Sequence, residues 1–252
     1  MPLSPIDTAG LAFVLILFST VVGTLVRRKM PESHLTGDSK EVIRLATALV
    51  ATLTGLVLAL MFAATRTSFE HTSGAVSRLA VEFSELDEIL EDYGPDAAPI
   101  RQQLRADMGT LIDSIWRDDA VAAGRPPVTR KSHGVGALSM IRELQPKTPA
   151  QSSMQARALQ ISGDISQTRL ALLAQPPDSV STPFIIVLVL WLMFIFTTFA
   201  MSSKPNVTLT IVLGVCILSA SGALYLILEL GLPFGGVMQV SNDSLRGALA
   251  PL

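Results

Sequence analysis

Apolar residues gather into four stretches, set two and two around one polar insert. The stretches run roughly Leu11–Val26, Val42–Ala64, Phe184–Met201 and Val207–Leu230. A bilayer core needs about 20 mostly apolar residues per helix, and backbone groups in lipid must pair within their own segment. Each stretch therefore predicts a transmembrane helix. The expected fold is all-α and integral to the membrane: helices one and two in residues 1–66, a soluble helical insert in 67–182, and helices three and four with a short tail in 183–252.

Helical periodicity does not stop where the second stretch ends at Arg66. Val76, Leu79, Phe83, Leu86, Leu90 and Tyr93 follow a 3-4-3-4-3 spacing, the seam of a coiled-coil or bundle helix. Gly94-Pro95 ends that pattern. The second membrane helix is thus expected to run on as one rod from about Glu41 to Tyr93, roughly 80 Å at 1.5 Å per residue. Gly74 offers a place to bend. A second seam carries Ile100, Leu104, Met108, Leu111 and Ile115, and ends near Trp116. Residues 124–136 read as a loop, and Leu138–Leu144 as a short helix. Thr148-Pro149-Ala150-Gln151 has the signature of a helix start. The following helix places Met154, Ala158, Ile161, Ile165, Thr168 and Leu172 on one side before Pro176-Pro177. The insert thus predicts a three-helix bundle, and Thr182-Pro183 opens the third membrane helix.

At 100° per residue the second helix has two faces. Arg44, Ala48, Ala51, Gly55, Ala59, Phe62 and Arg66 share one side, flanked by Thr47, Thr54 and Leu58. Leu49, Leu53, Leu56, Val57 and Leu60 lie opposite, where lipid is expected. Small residues and threonines suit close packing between helices. They equally suit a pore in a ring of copies. Thr47, Ala51, Thr54 and Gly55 would then line the pore, Leu58 or Phe62 would narrow it, and Arg44 and Arg66 would sit at its mouths, favouring anions. Both readings stay open on the pattern alone. In the fourth helix Glu229 is an acid at the end of a span, read as an interface anchor or a partner for Arg66.

Lysines and arginines near helix ends set orientation. Arg27, Arg28, Lys29, Lys40, Arg44 and Lys204 fall on one side, against Arg66, Arg78, Arg169 and Arg246 on the other. The 27–40 loop is therefore placed in the cytoplasm. Both termini and the insert are placed outside a bacterial inner membrane. At the N-terminus the apolar run precedes its positive charges, the reverse of a cleavable signal peptide.

Composition agrees with a membrane protein: 49% of residues are hydrophobic and mean hydropathy is +0.48. A net charge of −2 excludes a strongly basic nucleic-acid binder. One cysteine, Cys216, allows no intrachain disulfide. His34, His71 and His133 lack metal-ligand spacing, and no phosphate-binding loop, dinucleotide motif or nucleophile elbow occurs. The acids Glu82, Glu85, Asp87, Glu88, Glu91 and Asp92 fall between seam positions, where they solvate a helix. No enzyme activity, cofactor or metal is expected. The expected partners are the bilayer, further copies of the chain and inorganic anions, with no nucleic acid.

Several segments together resemble the bacterial bestrophin-like family of uncharacterised membrane proteins. They are His34-Leu35, Asp38-Ser39-Lys40-Glu41-Val42, Leu53-Thr54-Gly55-Leu56-Val57-Leu58, Tyr93-Gly94-Pro95, Trp116, Trp191, Leu228-Glu229, Pro233-Phe234, Gly236, Val240-Ser241 and Leu245-Arg246. The resemblance runs in order along nearly the whole chain. It implies kinship with bestrophins, pentameric anion channels whose second helix lines the pore and whose insert is cytosolic. Leu232 and Gly235 stand where family members carry acids, and of the pore-facing aromatics only Phe62 has a counterpart. Two functions are therefore expected as alternatives. One is an oligomeric anion channel; the other is a non-conducting scaffold or sensor whose insert mediates assembly or partner binding.

Overall fold

The computed structural model describes residues 4–29, 38–116, 136–174, 182–202 and 206–249. The expected loop at 124–135 and the Pro176-Pro177 stop lie outside these residues. The helices are α1 (Pro5–Lys29), α2 (Asp38–Tyr93), α3 (Ala98–Ile115), α4 (Gly136–Glu143), α5 (Pro149–Ala174), α6 (Thr182–Ser202), α7 (Val207–Leu230) and α8 (Asp243–Leu249), with a 3-10 turn at Pro95–Ala97 between α2 and α3. Among the described residues there is no strand. Helices α1, α2, α6 and α7 are long and apolar enough to cross a membrane.

The helix ends follow local chemistry. Helix α2 passes through Gly74 without a break. It stops at Gly94, whose φ of +109° is open to glycine and strained for other residues. Pro95 then opens the 3-10 turn. The start of α5 is built as its sequence signature implies: Thr148 Oγ1 accepts from the Gln151 backbone N–H at 3.1 Å. Gln151 returns the bond, its Oε1 accepting from the Lys147 N–H at 2.8 Å, one residue before the cap position of a standard capping box. Asn206 caps α7 through its side chain.

Contacts divide the chain into two compact units. The first is Met1–Ser68 with Asp178–Leu232; the second is Phe69–Pro177 with Pro233–Leu252. In the first unit α1 packs along α6 and α7. Ala12, Ile16, Leu188, Leu192, Ile217 and Leu224 form its core, and Val57, Leu58 and Met61 of α2 close over it. The pairing of α1 with α6 is parallel. Ser19 approaches Met193, Gly23 meets Thr197 and Ala200, and Arg27 reaches Met201. The last of these bonds, 2.9 Å from Arg27 Nη1 to the Met201 carbonyl, places a cation on the C-terminal turn of α6, where carbonyls lack helical partners.

In the second unit the two predicted seams face one core. Val76, Leu79, Phe83, Leu86, Leu90 and Tyr93 of α2 are all buried there. Ile100, Leu104, Met108 and Leu111 of α3 join them, with Ala158, Ile161 and Leu172 of α5. Ion pairs clip the helices around this core. Arg101 forms a two-pronged bond to Asp87, at 2.9 and 2.8 Å, and a third to Glu91. Arg157 binds Glu85 at 2.6 Å. The acids on α2 were expected only to solvate the helix; Asp87, Glu91 and Glu85 instead join it to α3 and α5. Arg101 beside Asp87 holds that carboxyl below the usual carboxylate range.

The tail after Leu232 also belongs to this unit. Trp116 is fully buried at the end of α3, donates from Nε1 to the Val240 carbonyl at 2.9 Å, and meets Phe234 edge to face at 5.3 Å. Val240 and Leu245 enter the same core. The sequence reading groups this tail with helices three and four; its contacts place it in the second unit.

Candidate functional site

The membrane half of α2 carries the candidate pore residues, and burial splits them into two groups. Thr47 and Thr54 are 2% and 4% exposed. Seven residues apart, they lie within 20° of each other around the helix, and Thr65 and Thr72 extend the same buried line. This line runs into Val76 and Leu79, so one face of α2 is buried from threonines in its apolar half to large apolar residues in its second half. The hydroxyls of Thr47, Thr54 and Thr65 are satisfied within the helix. Thr47 donates to the Ile43 carbonyl at 2.8 Å and Thr54 to the Val50 carbonyl at 2.7 Å. A helix that buries threonine in this way leaves no polar atom without a partner in lipid. Leu58 packs on the same side, half-buried against the core of the first unit.

The second group faces outward. Arg44, Ala48, Gly55, Ala59, Phe62 and Arg66 are exposed, and Ala51 sits half-buried at the edge of the strip. Phe62 is 45% exposed. A Cβ built on Gly55 would meet nothing within 4 Å. Thr47, Thr54 and Leu58 are therefore not level with Gly55 and Phe62, as flanks of one stripe would be. They turn into the protomer, while the small residues stay on its surface. The leucines opposite, Leu49, Leu53, Leu56 and Leu60, are exposed as expected for a lipid face. Val57 departs from that face: it joins Leu188 and Trp191 around an apolar cavity of about 230 Å³ against α6.

Glu229 is only 3% exposed at the end of α7, and a side-chain hydrogen bond links it to Tyr225 one turn earlier. Its carboxyl is thus enclosed by the protein at the end of the span. Burial is the one signal that sequence position could not supply, because Glu229 lies at the very end of its apolar run. Ser221, a further turn back, is also buried, and its hydroxyl has no partner among the described residues. Among the described residues no three His, Cys, Asp or Glu side chains are grouped to hold a metal ion.

Outside the membrane helices, a cavity of about 50 Å³ opens in the core of the second unit. Its walls are mostly apolar, with Arg169 of α5, Asp107 of α3, and Ser162 and Ser166 of α5 contributing polar atoms. Burial lowers the Arg169 pKa, with the Asp107 charge opposing that shift. Neither this cavity nor its arginine was legible as a site, because Arg169 reads in sequence only as a charge near a helix end.

Residues 13–245 match the family model described as a bestrophin-like domain. No curated protein and no solved structure matches the chain.

Proposed function

The chain belongs to the bestrophin-like family, and from that premise we propose that it is an oligomeric anion channel whose α2 helices surround a pore. The observation that carries this reading is the exposed strip on α2. Arg44 and Arg66 bracket it, separated by about 33 Å of helix at 1.5 Å per residue, close to the thickness of a bilayer core. Within it Ala48, Ala51, Gly55 and Ala59 are small, and Phe62 is the one bulky side chain. Lipid tails gain little from such a surface, whereas a ring of copies would turn it into a narrow lumen with cations at both mouths. In this reading Thr47, Thr54 and Leu58 hold α2 against its own protomer and do not wet the lumen. No catalysis is proposed.

The arrangement proposed is two membrane helices, the insert, then two more, in a bacterial inner membrane with the 27–40 loop in the cytoplasm. The parallel pairing of α1 with α6 supports the two-and-two order, because two parallel membrane helices require an odd number of crossings between them, and α2 is one such crossing. The scaffold or sensor reading loses its main motive: the seams at Val76–Tyr93 and Met154–Leu172 are spent within the protomer.

Flux through liposomes holding the purified chain tests the proposal. Chloride flux is expected, with Gly55→Trp reducing it at least tenfold without changing the oligomer. Assembly without flux under any ionic condition, or flux indifferent to Gly55→Trp, would leave the scaffold reading standing instead.

A further inference from the structure

The cavity in the second unit carries an inference that does not depend on the channel reading. Its walls include Phe83, Leu86, Met108 and Ile165, so most of its lining offers no hydrogen bond. The polar atoms that do line it are nearly all committed. Ser162 donates to the Ala158 carbonyl and Ser166 to the Ser162 carbonyl, each at 2.8 Å. Asp107 accepts from Gln103 Nε2 at 2.8 Å. Arg169 is the exception: half-buried, it has neither an ion pair nor a hydrogen bond among the described residues. Taking a guanidinium partly out of water is costly unless acceptors meet it, and its planar fork matches a carboxylate in two parallel bonds.

Size and charge narrow the ligand. An apolar cavity of about 150 Å³ admits benzene, so one of about 50 Å³ takes a tail of roughly two or three carbons. Asp107 on the same wall already offsets part of the Arg169 charge, which disfavours a ligand carrying more than one negative charge. We propose that the insert binds a short-chain aliphatic monocarboxylate, its carboxylate on Arg169 and its tail among Phe83, Leu86 and Met108. The serine hydroxyls already donate to helix carbonyls, so among the described residues lining the cavity Arg169 is the donor left to receive it.

Ligand-observed NMR and thermal unfolding of the full-length chain in nanodiscs test this, with butyrate as the probe. Butyrate is expected to give saturation transfer and a saturable rise in the unfolding midpoint. Its apparent affinity should fall at least tenfold in Arg169→Gln. Should Arg169→Gln fold poorly, Ala137→Leu tests the same point, because it fills the cavity from another wall and leaves the arginine in place. The same loss of butyrate binding is expected there. An equal response to chloride at matched ionic strength, an equal response to butylamine, or unchanged butyrate binding in Ala137→Leu would each overturn the proposal.

Discussion

Glu82 shows how a single carboxyl records its surroundings. It sits on α2 beside the core of the second unit, and its Oε2 is buried with no partner among the described residues. Burial raises its pKa above the ordinary carboxylate value; the neighbouring Asp164 and Glu85 add to the rise, and Arg78 opposes it. The sign of the pH effect follows. The folded chain holds this proton more tightly than the unfolded one, so the ionised carboxylate costs stability at neutral pH. That cost is relieved as pH falls through the raised value toward the ordinary one. Glu82→Gln removes the charge and keeps the shape. It should raise the unfolding midpoint at neutral pH, with the advantage fading by about pH 4. Thermal scans across that range check it; a gain independent of pH, or a loss at neutral pH, would count against this account. The contrast with Asp87 is instructive, because five residues further on an arginine pair pulls a carboxyl the other way. Both acids look alike in the sequence, where only their place between seam positions is visible.

At the scale of elements, the contact between α1 and α6 depends on one small residue. A Cβ on Gly23 would stand 2.7 Å from the Thr197 carbonyl oxygen and 3.1 Å from Ala200 Cβ. The backbones approach this closely because Ser19 and Gly23 present little bulk, and Thr197 Oγ1 uses the proximity to donate to the Ser19 carbonyl at 3.2 Å. Gly23→Leu should therefore destabilise the first unit by about 1–3 kcal/mol. Gly10→Leu on the same helix should cost far less, since a Cβ there meets nothing within 4 Å. Unfolding in mixed micelles compares the two, and equal losses would refute a special role for Gly23. This contact was not legible beforehand, because glycine in an apolar run shows no preferred partner. The helices were legible, and for physical reasons. Four long apolar runs, a 3-4 seam ended by Gly94-Pro95, and a Thr-Pro-x-Gln start each tie local chemistry to helix length or helix ends. What periodicity could not supply was the choice of neighbour. Asp87 on Arg101, Trp116 on Val240, and the tail on the insert all join residues distant in sequence.

Across the whole molecule, one continuous element serves both units, and its faces divide the labour. The buried line of α2 starts at Thr47 and ends at Tyr93, so the face that anchors the helix to its own protomer changes only in chemistry, from threonine to large apolar residues. The small strip lies roughly 100° around from that line, taking Gly55 against Thr54 at 100° per residue. The sequence reading merged the two because a helical wheel shows angular neighbours and not which of them the protomer consumes. This separation gives the channel reading a sharp positional test. In a Cys216→Ser background, single cysteines on α2 can be probed with a charged, membrane-impermeant thiol reagent in reconstituted protein. Cysteine at Ala48, Ala51, Gly55 or Ala59 should react at least tenfold faster than cysteine at Leu49, Leu53 or Leu60, because water reaches a lumen and not the lipid face. Cysteine at Thr47 or Thr54 should stay slow, since those positions face the protomer core. Fast reaction at the threonines would restore the single broad stripe. Uniformly slow reaction along the helix would mean that no wet lumen borders α2, and the small strip would then be a dry contact between copies.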